Sequence, residues 1–239
     1  YGLACVQQQA ARLDSISFYH TERILNAFRT HRVSDTHFRA ISGYAYSDVG
    51  RDALEIIFAD LWGAEKALVR TQFVSGTHAL AAALFGVLRP GDELLSVTGA
   101  PYDTMQTVIG HSVQQTGSLA EYGISYREIP FTADGDVDLP AVLSALTSKT
   151  RVALIQRSRG YSSRNTLSVD QIGKICAAVK EKAPQCITFV DNCYGEFVEE
   201  KDTEGLRLYI EDKYFNNCPM FATRSEDGSK WIIRNIWLR

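Results

Sequence analysis

Short apolar runs alternate with amphipathic helical segments between residues 52 and 191, and this alternation constrains the fold of the chain more than any other feature. The predicted strands are Lys66–Arg70, Glu93–Val97, Ile124–Phe131, Arg151–Gln156 and Ile187–Val190. The predicted helices are Asp52–Trp62, Gly76–Leu88, Thr104–Ile109, Leu139–Leu146 and Val169–Lys182. Because strands that alternate with helices usually pair in parallel, the pattern predicts an α/β fold with a mostly parallel sheet flanked by helices.

The composition excludes several classes of partner. The net charge of −3 and the scattered basic residues argue against nucleic acid or an anionic membrane surface. No apolar stretch approaches the roughly 20 residues that a membrane helix needs. The five cysteines form no Cys-x-x-Cys pair and are odd in number, which favours reduced thiols and a cytoplasmic location. The histidines show no paired ligand spacing, so no metal site is predicted.

The pattern divides the chain into three regions. Residues 1–50 are predicted to form an N-terminal arm, with a helix over residues 7–32 and a loop over residues 34–50. The start, Tyr1-Gly-Leu-Ala, resembles a trimmed or internal start more than a signal peptide. Residues 51–200 are predicted to form the α/β domain. Residues 201–239 are predicted to be a tail of different character, with a charged helix over 201–213 and an edge strand over 230–239.

Asp191 follows the apolar run Ile187–Val190 at the point where that strand would leave the sheet. A buried charge is costly without a partner, and ligands of open α/β sheets bind outside the carboxyl ends of the strands. Asp191 is therefore a candidate partner for a cation or a ring nitrogen. The ordinary alternative is a carboxylate that caps a turn.

Two further segments fall at the same predicted edge of the sheet. Ser75, Gly76 and Thr77 begin an Ala-rich helix, where free N–H groups suit a phosphate, although an ordinary capped helix start has the same pattern. Tyr102 follows the strand Glu93–Val97 and is placed to stack on a planar ligand. The alternative for Tyr102 is an aromatic residue that packs on the surface of the domain.

Two clusters of donors complete the candidate site. Arg157 and Ser158 follow the strand Arg151–Gln156 and would suit a phosphate or a substrate carboxylate, unless they form a solvated basic loop. Tyr46 and Arg51 lie in a loop that would reach an anion on another subunit, unless the tyrosine packs on the core of its own chain. Together these segments describe a planar, phosphorylated ligand with a basic ring nitrogen, a description that pyridoxal phosphate fits. A carboxylate on its pyridine nitrogen makes the ring an electron sink.

The chain resembles the aluminium-resistance or methionine gamma-lyase-like family of pyridoxal-phosphate proteins, relatives of cystathionine beta-lyase, over about residues 10–200. The segments that carry the resemblance are His31–Asp35, Gly43–Tyr46, Gly50–Asp52, Val74–Leu80, Leu84–Gly99, Pro101–Thr104, Leu154–Ser162 and Phe189–Glu200. The resemblance implies the large domain of the aspartate-aminotransferase (fold type I) architecture, truncated at its C-terminal end.

The resemblance also implies roles for the residues of the site. Ser75, Gly76 and Thr77 would hold the phosphate, Tyr102 would stack on the ring, and Asp191 would pair with the ring nitrogen. Tyr46 and Arg51 are similar to residues that reach the phosphate of a neighbouring subunit, which implies a homo-oligomer. The implied substrate is an amino acid, and the implied reaction is β- or γ-elimination on a sulfur amino acid such as methionine or cystathionine.

The family's lysine, which carries the cofactor as a Schiff base, has no counterpart here. Lys213 has roughly the expected separation from Asp191, but its neighbours do not match. The catalytic residue is therefore unknown, and at best a non-covalently held cofactor is expected unless another lysine substitutes. Two hypotheses follow: a carbon–sulfur lyase with impaired activity, or a non-catalytic relative that acts as a binding or regulatory protein. A dehydrogenase is disfavoured because the glycine fingerprint is absent.

Overall fold

The computed structural model describes residues 2–41, 48–111, 116–193 and 195–199. Its helices are α1 (Gly2–Thr30), α2 (Val49–Trp62), α3 (Gly76–Val87), α4 (Asp103–Ile109), α5 (Leu139–Ala145) and α6 (Val169–Lys182), and a short 3-10 helix spans Asp35–Phe38. Its strands are β1 (Glu93–Ser96), β2 (Ser125–Glu128), β3 (Thr150–Gln156) and β4 (Ile187–Asp191). The predicted tail helix and tail strand lie outside the described residues.

The four strands form one parallel sheet in the order β2-β1-β3-β4. The consecutive strands β1 and β2 are neighbours, whereas β3 pairs on the other side of β1 and so continues the sheet in the opposite direction. Such a reversal of strand order opens a crevice at the carboxyl ends of the strands. The predicted α/β class, with a parallel sheet flanked by helices, is confirmed.

Both faces of the sheet are covered, which explains why β1, β3 and β4 are largely buried without alternation, whereas the edge strand β2 alternates exposed and half-buried residues. Leu94, Leu154 and Phe189 pack with residues of α3 and α4 on one face. Leu95 and Ile155, each next to one of these in sequence, pack with α6 on the other face. Successive side chains of a strand point to opposite faces, so each short run contributes to two cores and is specified by both.

Short polar side chains begin the helices that surround the site. Ser75 accepts a hydrogen bond from the backbone N–H of His78 at the start of α3. Asp138 and Ser168 begin α5 and α6 in the same way. These side chains satisfy N–H groups that have no partner inside the helix, and they are the local signals that place each helix start relative to the preceding strand.

The N-terminal arm packs on α2 rather than on the sheet. Arg23 of α1 donates a hydrogen bond to the carbonyl of Leu61 at 2.6 Å. Phe197 contacts the ring of Trp62, with 5.0 Å between ring centroids. The imidazole of His20 forms a 2.9 Å hydrogen bond with the carbonyl of Glu199. The segment after β4 therefore ties the arm to the α/β domain.

The predicted strand Lys66–Arg70 is wrong, because these five residues contain a single bridge residue, Leu68, and no strand. The reason lies in α2: Glu55 accepts the Val69 N–H at 3.0 Å and a hydrogen bond from the Arg70 guanidinium, also at 3.0 Å. A side chain thus takes a donor that a ladder would have used. The predicted strand Ile124–Phe131 is also too long, since β2 ends before Pro130, which has no N–H to donate.

The loop predicted over residues 34–50 contains the 3-10 helix and the start of α2, and its residues 42–47 lie outside the described part of the chain. None of the helices that the structure describes combines the length and the apolar character needed to cross a membrane.

Candidate functional site

The carboxyl ends of β3 and β4 and the loop after β1 converge on one crevice. Gln156 and Asp191 are partners in the register of β3 and β4 and are the last residues of their strands. Together with Tyr102 they line the crevice, whose apolar base includes Leu154 and Phe189. The structure thus brings together Asp191 and Tyr102, which the sequence predicted separately.

Asp191 is a buried carboxylate with little compensation. Its side chain is 7% exposed, and Oδ1 accepts one hydrogen bond from the Cys193 N–H at 3.0 Å. Within the described ranges no basic side chain forms an ion pair with it. Burial raises the pKa of Asp191, and the Cys193 N–H only partly offsets that shift. Such a group favours a cationic ligand, which would restore its ionised form.

Tyr102 is held at both ends. Its backbone N–H donates to Oε1 of Gln156 at 3.0 Å, and its hydroxyl shares a 3.1 Å hydrogen bond with Oγ1 of Thr77. Burial raises the pKa of the Tyr102 hydroxyl, and the nearby charge of Asp191 raises it further. The ring is therefore fixed beside the carboxylate, at the N-terminus of α4.

Ser75, Gly76 and Thr77 form the N-terminus of α3, and the hydroxyl contact from Thr77 to Tyr102 brings this helix start to the crevice. Apart from Gly76, its two neighbours in the chain and the backbone of its own helix, no atom of the described residues lies within 4 Å of the position that a Cβ on Gly76 would occupy. The side facing away from the helix is thus open to a ligand. Because α3 has twelve residues, its first N–H groups carry the partial positive charge of a helix N-terminus.

Arg157 is fully buried, with an exposed fraction of 1%. Its Nε donates to the Leu167 carbonyl at 3.1 Å, and its two terminal nitrogens donate to Asn192, Gly195 and Glu199 at 2.5 to 2.8 Å. The guanidinium therefore donates its hydrogen bonds to residues of its own chain. Its contact with a substrate remains a prediction. Ser158 is half-buried, and its carbonyl accepts hydrogen bonds from Gln156 and Arg164.

Arg51 lies in the first turn of α2 and forms an ion pair with Asp48, with 2.8 Å between Nε and Oδ2. Asp48 is the N-cap of that helix and also accepts the Arg51 N–H at 3.1 Å. Tyr46, predicted to act with Arg51 on a neighbouring subunit, lies outside the described residues. The role of this pair across an interface remains a prediction.

Gln156 and Thr104 also belong to the site, although the sequence patterns did not predict them. Gln156 ends a buried strand, just as Asp191 does, so the signal used for Asp191 would also have found it. Thr104 shares a 3.0 Å hydrogen bond with the Thr77 hydroxyl. It has no comparable signal in the sequence, because its partner is 27 residues away.

Known proteins resemble the chain across this whole region. The methionine gamma-lyase family model matches residues 3–207. The Bacillus subtilis protein YnbB is 50% identical over 190 residues, which cover 79% of this chain and 45% of YnbB.

Solved structures give the same relationship. A candidate cystathionine beta-lyase involved in aluminium resistance from Listeria monocytogenes has a TM-score of 0.81 and 43% identity, over 85% of this chain and 52% of its own. A carbon–sulfur lyase involved in aluminium resistance from Clostridium novyi has a TM-score of 0.80 and 42% identity, over 85% and 49%. The chain spans about half the length of these relatives. On this evidence the chain belongs to the methionine gamma-lyase family.

Proposed function

We propose that this chain forms the cofactor-binding part of a pyridoxal-phosphate-dependent carbon–sulfur lyase, acting by β- or γ-elimination on a sulfur amino acid such as methionine or cystathionine. The observation that carries the proposal is Asp191, a buried carboxylate without an ion-pair partner among the described residues, beside the held ring of Tyr102. The reaction class is supported by two relatives, a carbon–sulfur lyase and a candidate cystathionine beta-lyase.

The residues fit pyridoxal phosphate in charge and in shape. Its phosphate would meet the N–H groups of α3 and the hydroxyls of Ser75 and Thr77, where the space beside Gly76 is open. Its flat ring would pack on Tyr102. Its ring nitrogen would meet Asp191, whose burial makes a proton on that nitrogen favourable.

Each residue has a separate task in the proposed reaction. When bound, the cofactor supplies an electron sink for charge that develops on the substrate. Asp191 holds a proton on the ring nitrogen and so maintains that capacity. Tyr102 orients the ring and keeps water from one face, while the N-terminus of α3 fixes the phosphate. Arg157 and Ser158 are proposed to face the amino-acid substrate, although Arg157 could do so only by giving up internal hydrogen bonds.

We further infer that elimination by the chain as printed is impaired. The lysines after Asp191 are Lys201, Lys213 and Lys230, and none lies in a segment like the family's. All three are outside the described residues. The lack of a lysine in a segment like the family's also favours a second candidate function. In that case the chain is a non-catalytic relative that binds the cofactor and acts as a binding or regulatory protein.

The deciding experiment is titration of the purified 239-residue chain with pyridoxal phosphate, followed by absorbance, borohydride treatment and mass spectrometry. We expect saturable binding without covalent attachment, and keto acid from cystathionine or methionine slightly above the rate of free cofactor. Asp191→Asn serves as the binding control. Binding with no keto acid above background would leave the non-catalytic candidate. Absence of saturable binding would contradict both the lyase and the non-catalytic cofactor-binding protein.

The proposal includes a cytoplasmic, homo-oligomeric protein. Cys176 and Cys186 are buried, Cys193 is exposed, and none of the three forms a disulfide within the described residues. Leu13 and Phe18 are large apolar side chains of α1 that are exposed in the single chain. Sedimentation equilibrium with and without pyridoxal phosphate tests the assembly, and a monomer under both conditions would contradict it.

A further inference from the structure

Gln156 connects two loops at the edge of the sheet. It is 6% exposed, and its side-chain amide is used from both sides: Oε1 accepts the Tyr102 N–H at 3.0 Å, and Nε2 donates to the Ser158 carbonyl at 3.1 Å. Because one partner is a donor and the other an acceptor, only one orientation of the amide satisfies both.

The backbone of Gln156 belongs to the same arrangement. Its N–H donates to the hydroxyl of Thr98 at 2.9 Å, and its carbonyl accepts a 2.9 Å hydrogen bond from Arg164. The loops after β1 and β3 are therefore both fixed to this one residue. Removal of the side chain would leave the strand in place but release the Tyr102 backbone.

The Tyr102 N–H has no partner inside its helix. Tyr102 is the N-cap of α4, and the N–H of an N-cap residue lies outside the intrahelical pattern. The Gln156 amide takes this N–H, while Thr77 takes the hydroxyl at the other end of the side chain. These two contacts define where the ring lies.

The register of the sheet places Gln156 next to Asp191. The two residues are paired across β3 and β4, whose strands are about 4.8 Å apart in any regular sheet. Their side chains therefore lie on the same face, and both line the crevice with Tyr102. Gln156 is thus the only residue of the described crevice lining that is hydrogen-bonded to Tyr102 and in register with Asp191.

We propose that Gln156 is a positioning residue that sets the Tyr102 ring relative to the Asp191 carboxylate, and thereby sets the orientation of the planar cofactor between them. The inference rests on the proposed function, because it concerns how the same site holds pyridoxal phosphate. Gln156 acts through Tyr102 and makes no reaction step of its own. Its important atom is the acceptor Oε1.

The test compares Gln156→Met, which removes the acceptor, with Gln156→Glu, which keeps an acceptor but loses the amide donor to Ser158. The probe is pyridoxal phosphate, and the readouts are its dissociation constant and the induced circular dichroism per bound cofactor. Hydrogen exchange of the Tyr102 amide is measured without the cofactor. Gln171→Met is the matched control, since Gln171 only caps α6 on the surface.

For Gln156→Met we expect about tenfold weaker binding, which corresponds to about 1.4 kcal/mol. We also expect less than half the induced signal at saturation and faster exchange of the Tyr102 amide. Gln156→Glu should retain most of the induced signal and the slow exchange. Gln171→Met should match the parent in every cofactor readout. If Gln156→Met does not fold, Gln156→Asn takes its place, because its amide is one methylene too short to reach Tyr102.

Three outcomes overturn the inference. Parent-like binding and dichroism in Gln156→Met would do so while the proposed function stands. Equal losses in Gln156→Met and Gln156→Glu would contradict the assignment of the effect to the Oε1 acceptor, which the glutamate keeps. Absence of saturable binding by the parent chain would overturn the proposed function, and the inference with it.

Discussion

Two carboxylates at opposite ends of the sheet are equally buried but have different surroundings. Glu93 begins β1 and Asp191 ends β4, and each is 7% exposed. Glu93 accepts two hydrogen bonds from Arg127, at 2.7 and 2.8 Å, and one from the Thr150 hydroxyl at 2.6 Å. Among the residues that the structure describes, Asp191 accepts one, from the Cys193 N–H. Burial alone therefore does not distinguish a structural acid from one that can bind a ligand.

The pKa values of the two groups shift in opposite directions. The hydrogen bonds from Arg127 lower the pKa of Glu93 despite its burial. Burial without a cation raises the pKa of Asp191. The difference teaches that unused bonding capacity, rather than a buried charge, marks the candidate site. The comparison would fail if removal of the charge on Glu93 and removal of the charge on Asp191 changed stability and ligand binding in the same way.

The largest effect is expected at Arg157, the most completely partnered buried charge. Arg157→Met should lower the free energy of unfolding by about 3 kcal/mol, because Glu199 and two carbonyls lose their donors. Urea denaturation measures this change in the free energy of unfolding. The control is Arg159→Met, at an exposed position two residues away, which should stay within about 0.5 kcal/mol. A stable Arg157→Met chain with weakened amino-acid binding would instead support the substrate role.

The next effect is on ligand affinity at Asp191. Asp191→Asn should weaken pyridoxal phosphate binding by about 30-fold, since a charged hydrogen bond contributes roughly 1.5–3 kcal/mol. Absorbance titration measures the change. Glu93→Gln is the matched control, because it removes an equally buried acid at the far end of the sheet. Equal losses in both variants would contradict the distinction between the two acids.

Glu93→Gln should instead affect stability. We expect a loss of about 2 kcal/mol near pH 7, because the charge-assisted hydrogen bonds with Arg127 are removed. Since the folded-state pKa of Glu93 is lowered, its stabilising contribution is present above the unfolded pKa and is lost as the pH falls through the folded pKa. The difference between parent and variant should therefore shrink on acidification, as measured by denaturation from pH 7 to pH 3.

Asp191→Asn should have the opposite stability effect in the cofactor-free protein. The raised folded-state pKa of Asp191 means that the folded chain holds the proton to higher pH than the unfolded chain. The free energy of unfolding should then fall as the pH rises from about 4 through the folded pKa. The asparagine variant lacks this term and should be more stable by about 1 kcal/mol at pH 7.5. A variant less stable at every pH would break the comparison.

A smaller effect on ligand affinity than at Asp191 is expected at Thr77. Thr77→Val removes the hydroxyl that contacts Tyr102 and Thr104, which should cost about 1 kcal/mol of stability. Pyridoxal phosphate binding should weaken by about tenfold. Thr107→Val, which loses one surface hydrogen bond to the Asp103 carbonyl, is the control. Unchanged binding in Thr77→Val would remove this hydroxyl from the proposed site.

Much of the fold could be predicted from the sequence because its signals are local. The helix α6 was predicted with its observed ends, Val169 and Lys182, since its cap and its apolar stripe are in the printed residues. The strand predicted at Lys66–Arg70 is absent because the Val69 N–H bonds to Glu55, which is 14 residues away in sequence. Asp191 could be found as a polar residue at the end of an apolar strand. The partners of Arg157 could not, because Glu199 is 42 residues away.

By itself, the sequence determined the α/β class, the positions of the helix starts and the polar residues at the strand ends. Periodicity, capping and apolar runs depend on neighbouring residues. Only the tertiary structure decided which buried charges have partners, since that depends on residues brought together from distant segments. It showed Glu93 neutralised by Arg127, Arg157 neutralised by Glu199, and Asp191 next to Tyr102 with its bonding capacity largely unused.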